Sequence, residues 1–239
     1  MSTTAENTPR GKHARADRER LAEQREQQHY GTHVNPFRLD KALEVCEAPL
    51  LDVGCSSGGY VRALRERSVE AFGVDLLYPA HVSEWTGGAF AVASADALPF
   101  RDLSFGTLTA FEVLEHLPDP RGALVEMARV ARRNLVVSVP DATRHPEHEP
   151  SGFTFHHYVD RTHTNFFTAD SLGKLIESAG LRVDQLQPIK PVTPEILLLA
   201  QYGLPAWIER QLLRVLRRLP GRRGRTMTLL AVAGKPDSP

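Results

Sequence analysis

The sequence is short of cysteine, of long apolar runs and of net charge, and each shortage narrows what the chain can be. Two cysteines, Cys46 and Cys55, among 239 residues cannot make a disulfide framework and suit a reducing compartment. No apolar stretch approaches the roughly 20 residues that span a bilayer; the nearest is residues 196–200. The polar opening carries no apolar signal core, so a cytoplasmic location is expected. Lys plus Arg and Asp plus Glu both number 29, for a formal net charge of zero. A protein that holds nucleic acid by neutralising phosphates usually carries a basic excess, so the balance argues against a nucleic-acid partner. The length suits one full-sized domain with appendages.

What is there alternates. Residues 1–28 are polar with mixed charge and no apolar period, which reads as a disordered or loosely helical segment ahead of a domain over 29–239. Apolar positions between 30 and 47 suggest a short amphipathic helix. Strands are then expected at 49–53, 69–77, 90–93, 105–111 and 135–139, the last stopped by Pro140. Helices are expected over 60–67 and 121–132, and from the N-cap Thr168 to Ala179 with Gly180 beyond its end. Two late strands, 181–189 and 226–233, flank a helical insertion over 190–225. Strands alternating with helices call for an α/β, Rossmann-like, doubly wound sheet that is mostly parallel.

The run Leu51-Asp52-Val53-Gly54-Cys55-Ser56-Ser57-Gly58-Gly59 stands where the first strand hands over to the first helix. Glycines there let the backbone turn tightly, and the amides at the helix start attract negative charge. In a doubly wound sheet that turn borders the ligand crevice; the plain alternative is a tight connection with no ligand. Asp75 ends the second strand, 21 residues after Gly54, where a carboxylate can accept ribose hydroxyls. Asp96 follows the third strand and can face an adenine amine. Each acid alone could cap a turn, but three at successive strand ends point to an adenosine ligand. A dinucleotide needs Gly-x-Gly-x-x-Gly to seat its pyrophosphate, whereas here the second glycine is Ser56. Asp52 before the turn is awkward beside a pyrophosphate and well placed beside the ammonium and sulfonium of S-adenosylmethionine (SAM). An NAD-type oxidoreductase is the weaker reading.

Asp52 to Gly59 resembles motif I of class I SAM-dependent methyltransferases, commonly written Asp-x-Gly-Cys-Gly-x-Gly. Gly73-Val74-Asp75 matches the acidic-loop motif and Ala95-Asp96-Ala97-Leu98-Pro99-Phe100 the adenine motif. Phe111-Glu112-Val113-Leu114-Glu115-His116-Leu117 resembles the fourth-strand signature of the type 11-like branch, which includes ubiquinone and menaquinone methyltransferases and sugar methyltransferases. Asp160-Arg161-Thr162-His163, Phe166-Phe167-Thr168 and Ala179-Gly180-Leu181 resemble a downstream pattern of that branch. The resemblance implies a seven-stranded sheet with an antiparallel last strand and SAM as cofactor. It implies that Asp52, Gly54, Cys55, Ser56 and Gly58 line the methionine end, that Asp75 and Leu76 meet the ribose, that Asp96 and Ala97 flank the adenine, and that Glu112 borders the methyl-transfer face. Serine in place of glycine at position 56 is accommodated if its φ is negative and its side chain turns away from the ligand.

Methyl transfer is an in-line displacement at an activated sulfonium, so the protein chiefly positions the acceptor and excludes water. An oxygen or carbon acceptor also needs its proton removed, for which histidine is the usual group. His163, with Asp160 as its orienting carboxylate, and His116 are the candidates, within a chain that also has His145, His148, His156 and His157. The histidines match no tight ligand spacing, so no metal site is assigned. A hydroxyl on a sugar, a lipid-linked glycan or a secondary metabolite is the expected acceptor. Carbon methylation of a quinone-like acceptor and methylation of RNA or protein are the alternatives. The apolar, arginine-rich stretch 194–225 would pack on the sheet or a second subunit of a homodimer, or else rest on an anionic membrane or lipid-linked acceptor.

Overall fold

The computed structural model describes residues 34–77, 89–143, 160, 162–192, 207–208, 211, 214 and 225–236. The expectations for residues 1–28, for the histidines at 145–157 and for most of the insertion lie outside the described residues. Within the insertion, Trp207, Ile208, Gln211 and Arg214 are helical.

Seven strands form one sheet: β1 Leu50–Val53, β2 Ala71–Asp75, β3 Phe90–Val92, β4 Phe105–Phe111, β5 Ala131–Pro140, β6 Arg182–Val192 and β7 Arg225–Gly234. Their order is β3-β2-β1-β4-β5-β7-β6. The pairs from β3 through β5 are parallel, and β7 runs antiparallel to both β5 and β6. This is the mostly parallel, doubly wound sheet that the strand–helix alternation predicts, with the antiparallel last strand that the family resemblance implies. Among the described residues, four α-helices flank it: α1 Pro36–Glu44, α2 Gly59–Arg65, α3 Pro120–Val130 and α4 Ala169–Ser178.

Helix ends follow side-chain chemistry. Asn35 caps α1 by accepting from the Phe37 amide at 3.0 Å, and Pro36 occupies the first turn, where a missing N–H costs nothing. That cap starts α1 six residues later than the apolar pattern suggests. Thr168 and Ser171 close α4 with a reciprocal capping box, and Gly180 follows at φ 80°. β5 begins at Ala131 rather than 135. Its exposed Arg132 and Arg133 hide the strand from an apolar count, while Ala131 pairs with Phe105 across a register shift. Pro140 is the last residue of that strand and does not precede its end. β6 carries Pro188 and Pro191 and lies at the sheet edge, where a residue without N–H is tolerated.

Side chains alternate across the sheet. Leu51 and Val53 of β1 join Leu108, Leu135 and Val137 against Leu124 and Met127 of α3 and Leu172 and Ile176 of α4. Leu50 points the other way and packs with Leu39, Val61, Leu64 and Cys55 beneath α1 and α2. β1 and β4 are buried almost throughout, as parallel strands covered on both faces must be. Leu124→Ala, at full burial, is expected to lower unfolding stability by about 2–5 kcal/mol. Thr168→Ala should lose about 1 kcal/mol through its cap. Both are read from denaturant midpoints at unchanged slope.

Candidate active site

Because β1, β2, β4 and β5 are parallel, the turns that leave them gather on one edge. The first of these turns is shaped by Gly54, at φ 71°, whose amide donates to Val74 O at 2.8 Å. A Cβ on Gly54 would lie 2.5 Å from Val113 Cγ2, so the glycine lets the turn after β1 nest against the turn after β4. Cys55 sends its side chain into the core beside Leu50 and Val61, and burial pushes its thiol pKa up; what it can offer a ligand is backbone. Gly58, at φ 73°, starts α2.

Ser56 departs from the expected geometry. Its φ is 48°, in the left-handed region rather than negative. The strain is offset by a hydrogen bond in which the Ser56 amide donates to Asp75 Oδ2 at 2.8 Å. Asp75 Oδ1 accepts from the Leu77 amide at 3.2 Å. The carboxylate therefore fastens the turn after β1 to the turn after β2. It is 4% exposed. Leu76 beside it is 41% exposed. Asp96 and Ala97 lie exposed in a turn after β3, where the Ala97 amide donates to Ser94 O at 3.1 Å.

Asp52 lies under the turn. Thr109 of β4 donates to its Oδ1 at 2.6 Å. Burial, with the charge of Asp75 adding, raises the Asp52 carboxyl to about 7, against the lowering effect of the Thr109 bond. A buried acid in this state favours a cationic ligand.

After β4 the backbone turns sharply at Glu112, φ 57°, and its carboxylate Oε1 accepts from Arg38 Nη2 at 2.5 Å and from Ser138 Oγ at 3.3 Å. Arg38 belongs to α1, and its guanidinium lies 5.9 Å from the centre of the Phe111 ring, whose centre is 4.7 Å from that of Tyr60 with the planes tilted by 52°. The clasp ties α1 to the carboxyl end of β4. Sequence reading missed Arg38, because helical spacing does not tell which distant carboxylate a residue reaches.

A 3₁₀ turn, Leu114–His116, follows. The segment 162–165 docks on it: the Thr164 and Asn165 amides donate to Glu115 O at 2.8 and 3.1 Å, and Asn165 Nδ2 donates to Leu117 O at 2.7 Å. The docking brings together the three residues expected to handle the acceptor. His116 and His163 have ring centres 4.7 Å apart, and His163 Nε2 lies 3.6 Å from Asp160 Oδ2. Burial opposes ionisation of Asp160, but hydrogen bonds from the Thr162 hydroxyl and amide and the nearby histidines outweigh it, and its pKa is lowered. Glu115 joins the cluster unforeseen. It is 1% exposed, its two carboxylate oxygens have no hydrogen-bond partner among the described residues, and burial and Glu112 hold its pKa well above the usual range.

The turn fits SAM on its own terms. The Gly54 position admits no side chain, Asp52 and Asp75 are buried beside the turn, and Arg38 Nε and Ser57 Oγ are buried without partners among the described residues.

Comparisons with known proteins agree. A family model described as a methyltransferase domain matches residues 10–186. A ubiquinone biosynthesis O-methyltransferase of Hahella chejuensis is 30% identical over 125 residues, 48% of this chain, which spans about half (52%) of that relative's length. One from Saccharophagus degradans is 25% identical over 171 residues, 64% of this chain and 72% of the relative. Among solved structures, a SAM-dependent methyltransferase from Archaeoglobus fulgidus superposes with a TM-score of 0.58 at 18% identity, covering 83% of this chain and 92% of that one; at that identity the likeness speaks for the fold. With a family model matching well over half its length, the chain belongs to the methyltransferase domain family, in the class I SAM-dependent branch that takes S-adenosylmethionine as cofactor.

Proposed function

We propose that this chain methylates an oxygen of a small-molecule acceptor, a hydroxyl on a sugar, a lipid-linked glycan or a secondary metabolite. The observation that carries the reading is the meeting of His116, His163 and Asp160 beside the 3₁₀ turn after β4. Glu112, at the mouth of the cofactor turn, is three residues from Glu115. The names of the relatives, O-methyltransferases of ubiquinone biosynthesis, support an oxygen acceptor and favour one from quinone biosynthesis as a second reading.

In this scheme Asp75 and Leu76 hold the ribose, Asp96 and Ala97 flank the adenine, and the Gly54–Gly58 backbone with Asp52 cradles the methionine end. Arg38, a partly used guanidinium beside that end, can take the methionine carboxylate in a forked contact. SAM supplies a methyl group already activated on a sulfonium. His163, oriented by Asp160, takes the proton of the acceptor hydroxyl as the C–O bond forms and the C–S bond breaks, with the sulfur keeping the electron pair. His116 and the segment 162–165 position the acceptor and keep water from it.

Asp75→Ala is expected to weaken SAM binding by about 2 kcal/mol, roughly thirtyfold, by calorimetry. Unchanged affinity would sink the assignment of that carboxylate. Asp52 gives a pH signature. Its folded carboxyl is raised to about 7, so its ionisation costs stability progressively as pH climbs from about 4 to about 7. The groups facing it are Thr109 from β4, Asp75 from β2, and Cys55 and Tyr60 around the start of α2. A cationic ligand needs the ionised form, so SAM affinity should rise about tenfold or more between pH 5.5 and 7.5. Asp52→Asn should flatten most of that rise. His163→Ala is expected to lower turnover on the order of 100-fold while SAM affinity changes less than about twofold. Equal loss of both would make the residue structural. A screen of hydroxylated acceptors for S-adenosylhomocysteine release tests the substrate class directly, and turnover only with amine or carbon acceptors would overturn it.

A further inference from the structure

The carboxylate of Glu115 is buried beside the acceptor histidines yet takes no part in the proton transfer to His163. It is 1% exposed, and neither oxygen finds a hydrogen-bond partner among the described residues. A buried acid left in that condition is costly unless a proton or a cation compensates it. Glu112 and Asp160, the neighbouring acids, add to the burden, and Arg38, whose charge eases it in part, is hydrogen-bonded to Glu112 rather than to Glu115. What does face it is a pair of imidazoles. One ligand atom each from Glu115, His116 and His163 lie within 4.8 Å of one another.

The hydrogen-bond pattern orients these rings. The Thr162 hydroxyl donates to Asp160 Oδ1 at 2.7 Å, so its 3.1 Å contact with His116 Nδ1 requires that nitrogen to be the donor. Thr162 O, 3.2 Å from the same nitrogen, also accepts. The lone pair of His116 is therefore on Nε2. Asp160 Oδ2 lies 3.6 Å from His163 Nε2, a carboxylate beside the second ring within charge-pair but not hydrogen-bond distance. Metal-binding histidines are held in this way, one nitrogen on the ion and the other on a carboxylate or backbone carbonyl.

We propose that Glu115, His116 and His163 form a binding site for a divalent transition-metal ion at the acceptor side of the cofactor crevice. Two imidazoles and one carboxylate suit zinc and its first-row neighbours, whereas magnesium prefers oxygen ligands and sheds water reluctantly. Three protein ligands leave a coordination position open. The inference rests on the reading of this wall as the acceptor's and changes how the proton leaves. The acceptor oxygen binds the ion, its proton passes to solvent water, and the oxygen then takes the methyl group as the C–S bond breaks.

The test uses the full chain, stripped with a chelator and titrated with Zn²⁺ in a calorimeter, with Co²⁺ as a spectroscopic probe. Expected are one ion per chain, visible cobalt absorption bands, and no displacement by millimolar Mg²⁺. Glu115→Gln and His163→Gln should each weaken Zn²⁺ binding about tenfold or more with SAM affinity retained; where one variant does not fold, the other carries the same reading. Replacing His145, His148, His156 and His157 together by alanine should leave the tight site in place. No stoichiometric binding, or binding that survives both glutamine variants and disappears with those four histidines, would overturn the site. Intact SAM binding in that case leaves the methyltransferase reading and His163 as base untouched, while loss of SAM binding by the parent chain would strike that reading instead.

Discussion

The grip of the Asp75 carboxylate on the Ser56 and Leu77 amides is the contact on which the cofactor crevice depends. One side chain from β2 fixes the backbone of two turns, and one of these is held in a left-handed conformation that serine adopts at a cost. The parallel sheet makes such a contact available, because strand ends that point the same way bring their turns together. Gly54 against Val113 and Arg38 against Glu112 extend the same logic, joining the turn after β1 and the helix α1 to the turn after β4.

The electrostatics of this edge are uneven. Asp52, Asp75 and Glu115 are all buried, while Arg38 is paired with Glu112 beside them. A surface built so is poor at holding a pyrophosphate and good at holding a sulfonium. The acids also divide the space: Asp52 and Asp75 belong to the side of the glycine turn, and Glu115 to the side of the histidines. Glu112, tied to Arg38 and Ser138, stands between them.

Much of this was legible in the sequence because local chemistry announced it. The glycine turn, the acids in the last residues of the first two strands, the Thr168 cap and the alternation of strands with helices all depend on residues close in sequence. The pairing of His163 with Asp160 came from a spacing of three. What was not legible depends on distant partners. The φ of Ser56 is set by Asp75, the burial of Glu115 by the docking of residues 162–165, and the role of Arg38 by a carboxylate 74 positions away. The early start of β5 was hidden because its arginines face solvent at the sheet's rim, so the strand did not look apolar there.

The place of β7 bears on how the molecule is put together. It follows all the other described strands in the chain, yet it lies between β5 and β6, and β6 joins the sheet through β7. A nascent chain can therefore assemble β1 to β5 and its cofactor edge while β6 still has no neighbour to pair with. The sheet closes when the strand threaded between them arrives, a pairing distant in sequence and slow for that reason. The crevice thus belongs to the part of the fold that can form first, and the edge farthest from it to the part that forms last.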